Sequence, residues 1–461
     1  MGTPDPTVRI LKNFRVIDET MDALGSVVIE DGLIRDVIPG EADGRLAPYL
    51  AAAELVLDGS LLAAGGAPPV LMPAFTDLHA HFRDPGFPEK ETLESASLAA
   101  AGGGYGTVVC MANTNPVLDT AEGAAALKAR SDALALIDLY PVLALTKGMA
   151  GRELSGIRDL PDRNGAALPY FPRLLSEDGK DVNDDGLFLA AFAEARRLGL
   201  PVSCHCDFGG EEAEAAKKAG QPRAIWSRIE ENNGTRRAIA LGKRAGCHVH
   251  IAHVSTKEAA ELIREAKAGT GGTGFTLTCE ATPHHIALTE ARAIELGDES
   301  WGRVNPPLRT GEDRQAIIAA LLDGTIDAIA TDHAPHSKDD KAKGAPGFTG
   351  LETGFSVCFT ELVQNGRMSL SRLSALMSAA PSRILDLQDR GRIAPGLRAD
   401  LVIADTGMQG IPDAACVRSR GKNAPFNNMN LTGTILMTLQ RGRIIFDRRD
   451  SCTIWTRSMR R

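Results

Sequence analysis

The sequence predicts an α/β protein, either a parallel barrel or a doubly wound sheet, with a small β-domain assembled from both chain ends. Three observations predict it. Both ends read as strands separated by turn signals. The long middle alternates short apolar runs with longer Ala-rich helical segments, the pattern of repeated β-then-α units. His and Asp residues stand where those apolar runs stop, and in a barrel the strand C-termini converge on one mouth.

In chain order, the runs 26–30 and 33–38 flank the turn Asp31-Gly32 and predict a hairpin. Residues 47–69 are rich in Ala, Gly and Pro and read as irregular connection. From residue 73 the predicted strands are 107–111, 135–143, 202–206, 248–253 and 328–331. The predicted helices are 94–101, 186–198, 235–245, 257–266 and 313–322. Gly102-Gly103-Gly104 follows a helix and lacks the Lys-Ser/Thr of a phosphate loop, so a helix-to-strand turn is expected. Strand signals return at 401–404, 431–439 and 443–446. The expected division is 1–72 plus 388–461 as a composite β-sandwich, and 73–387 as the barrel.

Composition removes several function classes. The chain has 461 residues, 43% hydrophobic and 24% charged, ample for a large core and more than one lobe. A net charge of −8 argues against a general nucleic-acid binder. The basic stretch 448–461 reads as a solvated terminus. No apolar run is long enough to span a bilayer, and no secretory signal is expected. Pro6 stands where a myristoylation signal needs Ser or Thr. The 8 cysteines show no paired zinc-ribbon spacing, so free thiols in a reducing cytoplasm are expected.

The chemistry concentrates in TDLHAHFRDPG (76–86), just after the apolar run 70–75. On a strand, His79 and His81 share a side and can grip one metal ion, and Arg83 has the parity to hold an anion beside it. His-x-His alone is weak, since two solvent-facing histidines on a turn look the same. Other strand-end residues add weight: Asp178, His205, His253 and Asp332. Four His and two Asp suffice for two divalent ions sharing a bridging carboxylate. A nitrogen and oxygen donor set without Cys fits Zn²⁺ best, with Mn²⁺ or Co²⁺ as substitutes. His248 and His250 compete with His253, which is favoured because it sits at the strand exit. His284 and His285 read as supporting residues, and Cys204 and Cys206 as core thiols. Glu177, Asp178 and Lys180 all stand near the bridging position. A lysine could bridge only after carboxylation by CO₂.

With these residues assembled, the chain resembles the class I dihydroorotases of the amidohydrolase superfamily. The resemblance rests on DLHAHFRDPG (77–86), MANTNP (111–116), SEDG (176–179), HC (205–206), IAHVST (251–256), EATPHH (280–285), VNPPLR (304–309), TDHAPH (331–336), GLET (350–353) and GKNAPF (421–426). It implies a (β/α)₈ barrel of the TIM type with a composite β-domain. It implies one zinc on His79, His81 and Asp332, a second on His205 and His253, and Asp178 between them. Arg83, Asn113, Asn305 and His336 match positions that hold substrate, and Pro346 and Gly347 match the backbone that closes over it. Asp84, Glu177 and the Ala of MANTNP depart from the commoner residues. The loop before GLET is about one residue shorter, which bears on the Pro346–Gly347 assignment.

The implied activity is reversible hydrolysis of dihydroorotate to N-carbamoyl-L-aspartate in pyrimidine biosynthesis, with Asp332 moving the proton. The resemblance also implies a cytoplasmic homodimer and raises a complex with aspartate carbamoyltransferase. Two rivals share these motifs. Allantoinases and hydantoinases have the same barrel, but hydantoinases usually bridge their metals with a carboxylated Lys, and their substrates lack the carboxylate that Arg83 would hold. Non-catalytic partners of the transcarbamoylase lose metal ligands, whereas every ligand position is filled here.

Overall fold

The computed structural model describes residues 7–41, 43–62, 68–161, 170–269, 274–414, 416–450 and 455–456. The N-terminal part supplies β1 (Val8–Ile17), β2 (Asp22–Glu30), β3 (Leu33–Pro39), β4 (Ala53–Asp58) and β5 (Val70–Pro73). The middle supplies β6 (Phe75–Ala80), β7 (Tyr105–Cys110), β8 (Asp138–Pro141), β9 (Leu175–Ser176), β10 (Val202–Cys204), β11 (His248–Ile251), β12 (Thr276–Ala281) and β13 (Ala328–Ile329). The C-terminal part supplies β14 (Leu401–Pro412), β15 (Leu431–Gln440), β16 (Arg443–Asp447) and β17 (Trp455–Thr456).

Both chain ends join in one nine-stranded sheet whose main path runs β16-β15-β14-β5-β1-β2-β3. The short β5 is the stitch, parallel to β1 and antiparallel to β14. One core of this sheet gathers Leu11, Val27, Ile29, Leu71, Leu401 and Met437. Asp31 and Gly32 both adopt positive φ (51° and 81°), as a two-residue hairpin turn requires.

The eight middle strands form two parallel sheets, β6-β7-β8 and β9 through β13. Two single bridges close them into a barrel. Leu143 pairs with Leu175 at one seam, and Ala80 pairs with His333 at the other, where the His81 amide donates to the His333 carbonyl at 2.7 Å. Helices fill the crossovers, several with hydroxyl N-caps: Thr92 for Leu93–Gly102, Thr256 for Lys257–Ala268 and Thr310 for Gly311–Asp323. Gly103 does serve as a helix-ending turn. A β-carbon there would sit 2.0 Å from the Leu351 carbonyl oxygen, so only glycine fits.

Four local readings differ from expectation. The apolar run 70–75 belongs to two strands in two sheets, divided at Ala74. Part of the stretch 47–69 is ordered: β4 pairs parallel to β1 and helices cover Asp43–Leu50 and Gly59–Leu62, while 63–67 lie outside the described residues. The alternating Leu55 and Leu57 carry that strand despite weak flanks. The helix expected from 235 begins at Arg223, because its polar first half buries Glu230 beside Lys217 of the preceding helix and Glu231 against the 255–256 loop instead of showing an apolar stripe. β12 (TLTCEA) was not expected, because it interleaves polar residues with its apolar ones, and the strand end before Asp178 is a β9 of only two residues. Among the cysteines, six are buried free thiols, but Cys416 is disulfide-bonded, so the all-thiol expectation fails there. Most of the basic tail, 451–454 and 457–461, lies outside the described residues. No described helix is long and apolar enough to cross a membrane.

Candidate metal centre

Barrel closure brings the strand-end residues together. His79 lies on β6 and His81 just beyond it; Asp178 follows β9, His205 follows β10, His253 follows β11 and Asp332 follows β13. Two groups of donors form: His79, His81 and Asp178, and Asp178, His205 and His253. Asp178 belongs to both. His79 Nε2 lies 3.2 Å from Asp178 Oδ1, His81 Nε2 3.3 Å from Asp178 Oδ2 and His205 Nδ1 3.1 Å from Asp178 Oδ1. His205 Nδ1 and His253 Nε2 are 2.8 Å apart. Asp332 Oδ1 stands 3.2 Å from His81 Nε2 and 3.5 Å from His79 Nε2.

These contacts fit a metal better than they fit one another. Ligands about 2.0–2.1 Å from a tetrahedral ion lie about 3.3 Å from each other, close to the spacings seen here. His79 Nε2 and Asp178 Oδ1 are buried yet have no hydrogen-bond partner, although buried polar atoms are nearly always paired. Charge points the same way. Burial opposes a proton on His205, yet Asp178 overrides it and lifts the imidazole to about 9. Burial likewise opposes ionisation of Asp178, but His79 and His205 hold it well below the usual carboxylate range. The five residues His79, His81, Asp178, His205 and His253 form a metal site.

Hydrogen bonds outside the cluster fix ring orientation, as metal-binding histidines require. His79 Nδ1 lies 2.9 Å from Glu280 Oε1, and Glu280 Oε2 lies 3.1 Å from His250 Nε2. Thr278 Oγ1 then joins His250 and His248. His81 Nδ1 lies 2.9 Å from Asn113 Oδ1, and His205 Nε2 lies 3.0 Å from Asn305 Nδ2. His248 and His250 are thus occupied within the barrel. Glu177 turns away, accepting from the Leu145 and Thr146 amides and the Thr146 hydroxyl, and Lys180 donates to the Met149 carbonyl. That leaves Asp178 between the two donor groups. Burial pushes the Cys204 and Cys206 thiols well up, and neither joins a donor group.

The cluster opens on a cavity of about 200 Å³. His81, Asp178, His205, His253 and Asp332 line it together with Arg83, Asn113, Asn305, His336, Pro346 and Gly347, and Gly179 and Ala334 complete the lining. His79 lies beneath, fully buried. Arg83 Nε donates to the Pro335 carbonyl and its Nη2 lies 3.3 Å from His336 Nε2. Among the described residues, no carboxylate forms an ion pair with Arg83. Burial and the adjacent Arg83 push His336 down to about 3, so it is neutral near pH 7.

Several supporting residues were not singled out from the sequence. Glu280 orients His79. Asp77 accepts from the Thr331 amide and hydroxyl and ties β6 to the segment carrying Asp332. Glu231 accepts from the Ser255 and Thr256 amides and from Arg309, bracing the loop after His253. Asn423 donates to the Ala334 and Gly347 carbonyls, both at 2.9 Å. Glu280, Arg309 and Asn423 lie inside the motifs EATPHH, VNPPLR and GKNAPF, which was the available signal.

Residues 70–445 match the model of the amidohydrolase family. Dihydroorotase from Clostridium botulinum (strain Eklund 17B / Type B) is 38% identical over 94% of this chain and 98% of its own length. Dihydroorotase from Citrifermentans bemidjiense is 35% identical over 95% and 99%. Among solved structures, L-hydantoinase from Arthrobacter aurescens superposes with a TM-score of 0.80 at 25% identity, covering 97% of this chain and 98% of that one. Dihydropyrimidinase from Brevibacillus agri gives 0.77 at 19% identity, covering 96% of each, and so speaks to the fold alone.

Proposed function

The chain belongs to the dihydroorotases of the amidohydrolase family, and we propose that it interconverts dihydroorotate and N-carbamoyl-L-aspartate at a two-zinc centre in this cavity. The observation that carries the reading is Arg83: a half-buried guanidinium that forms no ion pair with a carboxylate among the described residues, lining, with the metal-site residues, a cavity sized for a small ring. Burial disfavours its charge. A substrate carboxylate would supply the missing partner through two parallel N–H···O bonds.

In this reading His79, His81 and Asp332 would hold one ion and His205 and His253 the other, with Asp178 shared between them. When bound, such ions would supply Lewis-acid chemistry, lowering the pKa of a water and polarising the ring amide carbonyl. The chain's own residues do the rest. Arg83, with Asn113 and His336, fixes the substrate carboxylate, so that only one ring carbonyl can face Asp178 and Asp332. Asn305, Pro346 and Gly347 border the ring. Asp332, whose Oδ1 faces His79 and His81, takes the proton of the attacking water at Oδ2 and returns it to the departing ring nitrogen. Hydrolysis turns a monoanion into a dianion and releases one proton. Rising pH therefore favours ring opening, and falling pH favours the closure used in pyrimidine biosynthesis.

The division into 1–72 plus 388–461 and 73–387, a homodimer, a cytoplasmic location and a complex with aspartate carbamoyltransferase belong to the same reading. Size exclusion with and without the transcarbamoylase tests the last. The decisive experiment follows dihydroorotate loss by ultraviolet absorbance, with metal content measured on the same sample. Turnover near two zinc per chain supports the proposal. Failure on dihydroorotate with turnover of a 5-substituted hydantoin replaces it with the hydantoinase alternative, which the likeness to L-hydantoinase makes the one to test.

A further inference from the structure

Lys341 is a fully buried lysine, at 0% exposure, in the short helix Lys338–Ala342 between His336 and Pro346. Its Nζ donates to three backbone carbonyls: Arg303 at 2.8 Å, Ala345 at 2.9 Å and Gly347 at 3.0 Å. Among the described residues it has no carboxylate partner. A buried ammonium is costly unless every N–H is satisfied, and three carbonyls match its three donors.

The carbonyls come from two segments of the cavity rim. Arg303 precedes Val304 and Asn305, and Asn305 lies against His205. Ala345 and Gly347 flank Pro346, whose carbonyl lies 2.9 Å from His336 Nε2. The Gly347 amide also donates to the Arg303 carbonyl, so Lys341 reinforces an existing seam. Gly347 has φ of 140°, and a β-carbon there would sit 2.7 Å from the Ala334 β-carbon, so this backbone is held against the opposite wall.

We propose that Lys341 is a positioning residue: its ammonium clamps the 303–305 and 345–347 segments together and so sets the rim that receives the anionic substrate. The inference rests on the functional reading above. Lys341 does not line the cavity or touch a metal-binding residue, so its loss acts on substrate capture more than on the chemical step. The charged and titratable groups around it are Arg303 with Glu299, Arg223, His336, Lys90 with Asp340, and Asp339 and Lys343 of its own helix. Burial, with Arg303 and Arg223, pushes Lys341 down to about 7. The clamp therefore keeps its third N–H below neutrality and loses it above. His336 does not titrate in that range.

The test is steady-state kinetics on the zinc-loaded enzyme with Lys341→Met, which preserves length and removes the charge. KM for dihydroorotate should rise about tenfold or more. The kcat should stay within about threefold, with metal content unchanged. Wild-type KM should climb above pH 7, and that climb should vanish in the variant. An unchanged KM, a kcat that falls as far as KM rises, or the same pH slope in both proteins overturns the proposal. Should Lys341→Met not fold, Lys341→Gln keeps two N–H donors and carries the same tests with a smaller KM rise. A wild-type enzyme inactive on dihydroorotate would instead sink the functional reading, before any variant is made.

Discussion

Two clusters of buried charge sit at opposite ends of the barrel, and their partners differ. At the C-terminal end of the strands, four imidazoles crowd around Asp178, and His79 Nε2 and Asp178 Oδ1 are left without hydrogen bonds. At the start of β8, Asp138 accepts from Arg390 at 2.7 Å, Arg398 at 2.8 Å and Lys128 at 3.2 Å. Burial pushes the Asp138 carboxyl up, but Arg390, Arg398 and Lys128 hold it below the usual range. Backbone strain also marks the first cluster: Arg83, Cys206, His253 and Asp332 all adopt positive φ, at 59°, 57°, 34° and 46°. At Asp138 the chain itself supplies the opposite charges, and the charge serves stability. Where one partner is missing, the same charge becomes a binding site.

Substitutions at the two ends should therefore separate activity from stability. The largest effect is expected from Asp332→Asn, which should lower kcat by about 10³–10⁴-fold. Its urea midpoint should barely move; a large loss of stability would mean that the open cluster is structural after all. Asp138→Asn should do the reverse. Breaking a buried ion-pair network costs about 3–5 kcal/mol, seen in urea unfolding, while kcat/KM of the folded fraction stays at the wild-type value. Its acid limb sharpens the contrast. The Asp138 carboxyl is depressed in the folded chain, so its contribution is fully present above the unfolded Asp pKa of about 4 and drains as pH falls below it. If Asp138→Asn keeps the wild-type acid slope, that assignment fails. Arg83→Ala should raise KM by about 100-fold with a smaller change in kcat, since a charged hydrogen-bond pair is lost. The smallest effect is expected from Lys180→Ala, within about 0.5 kcal/mol and without loss of metal, because its exposed ammonium donates to the Met149 carbonyl and joins neither donor group. Metal loss in that variant would reopen the bridge assignment.

Much of the architecture was legible because it is local. Alternation and turn residues placed the β2–β3 hairpin, and apolar periodicity located the helices Asp185–Leu198 and Lys257–Ala268 to within a few residues. The split of the run 70–75 was not legible, since nothing in six apolar residues says that two sheets share them. β9 is only two residues long, too short to carry a strand signal of its own, and pairs in parallel with β10. The helix Arg223–Ala245 was underestimated for a related reason: its polar first half is buried by partners distant in sequence.

By itself the sequence determined the donor types and their spacing, from His79 and His81 to the residue that ends each strand, because side-chain parity and strand termination are local properties. Only the tertiary structure shows why Asp178, the bridge that the resemblance implied, faces the metal-binding histidines while Glu177 and Lys180 turn away, that Glu280 orients His79, and that a buried lysine seams the rim. Those choices depend on contacts across separations as long as the 201 residues between His79 and Glu280, which exist only once the two seams at Leu143–Leu175 and Ala80–His333 close the barrel.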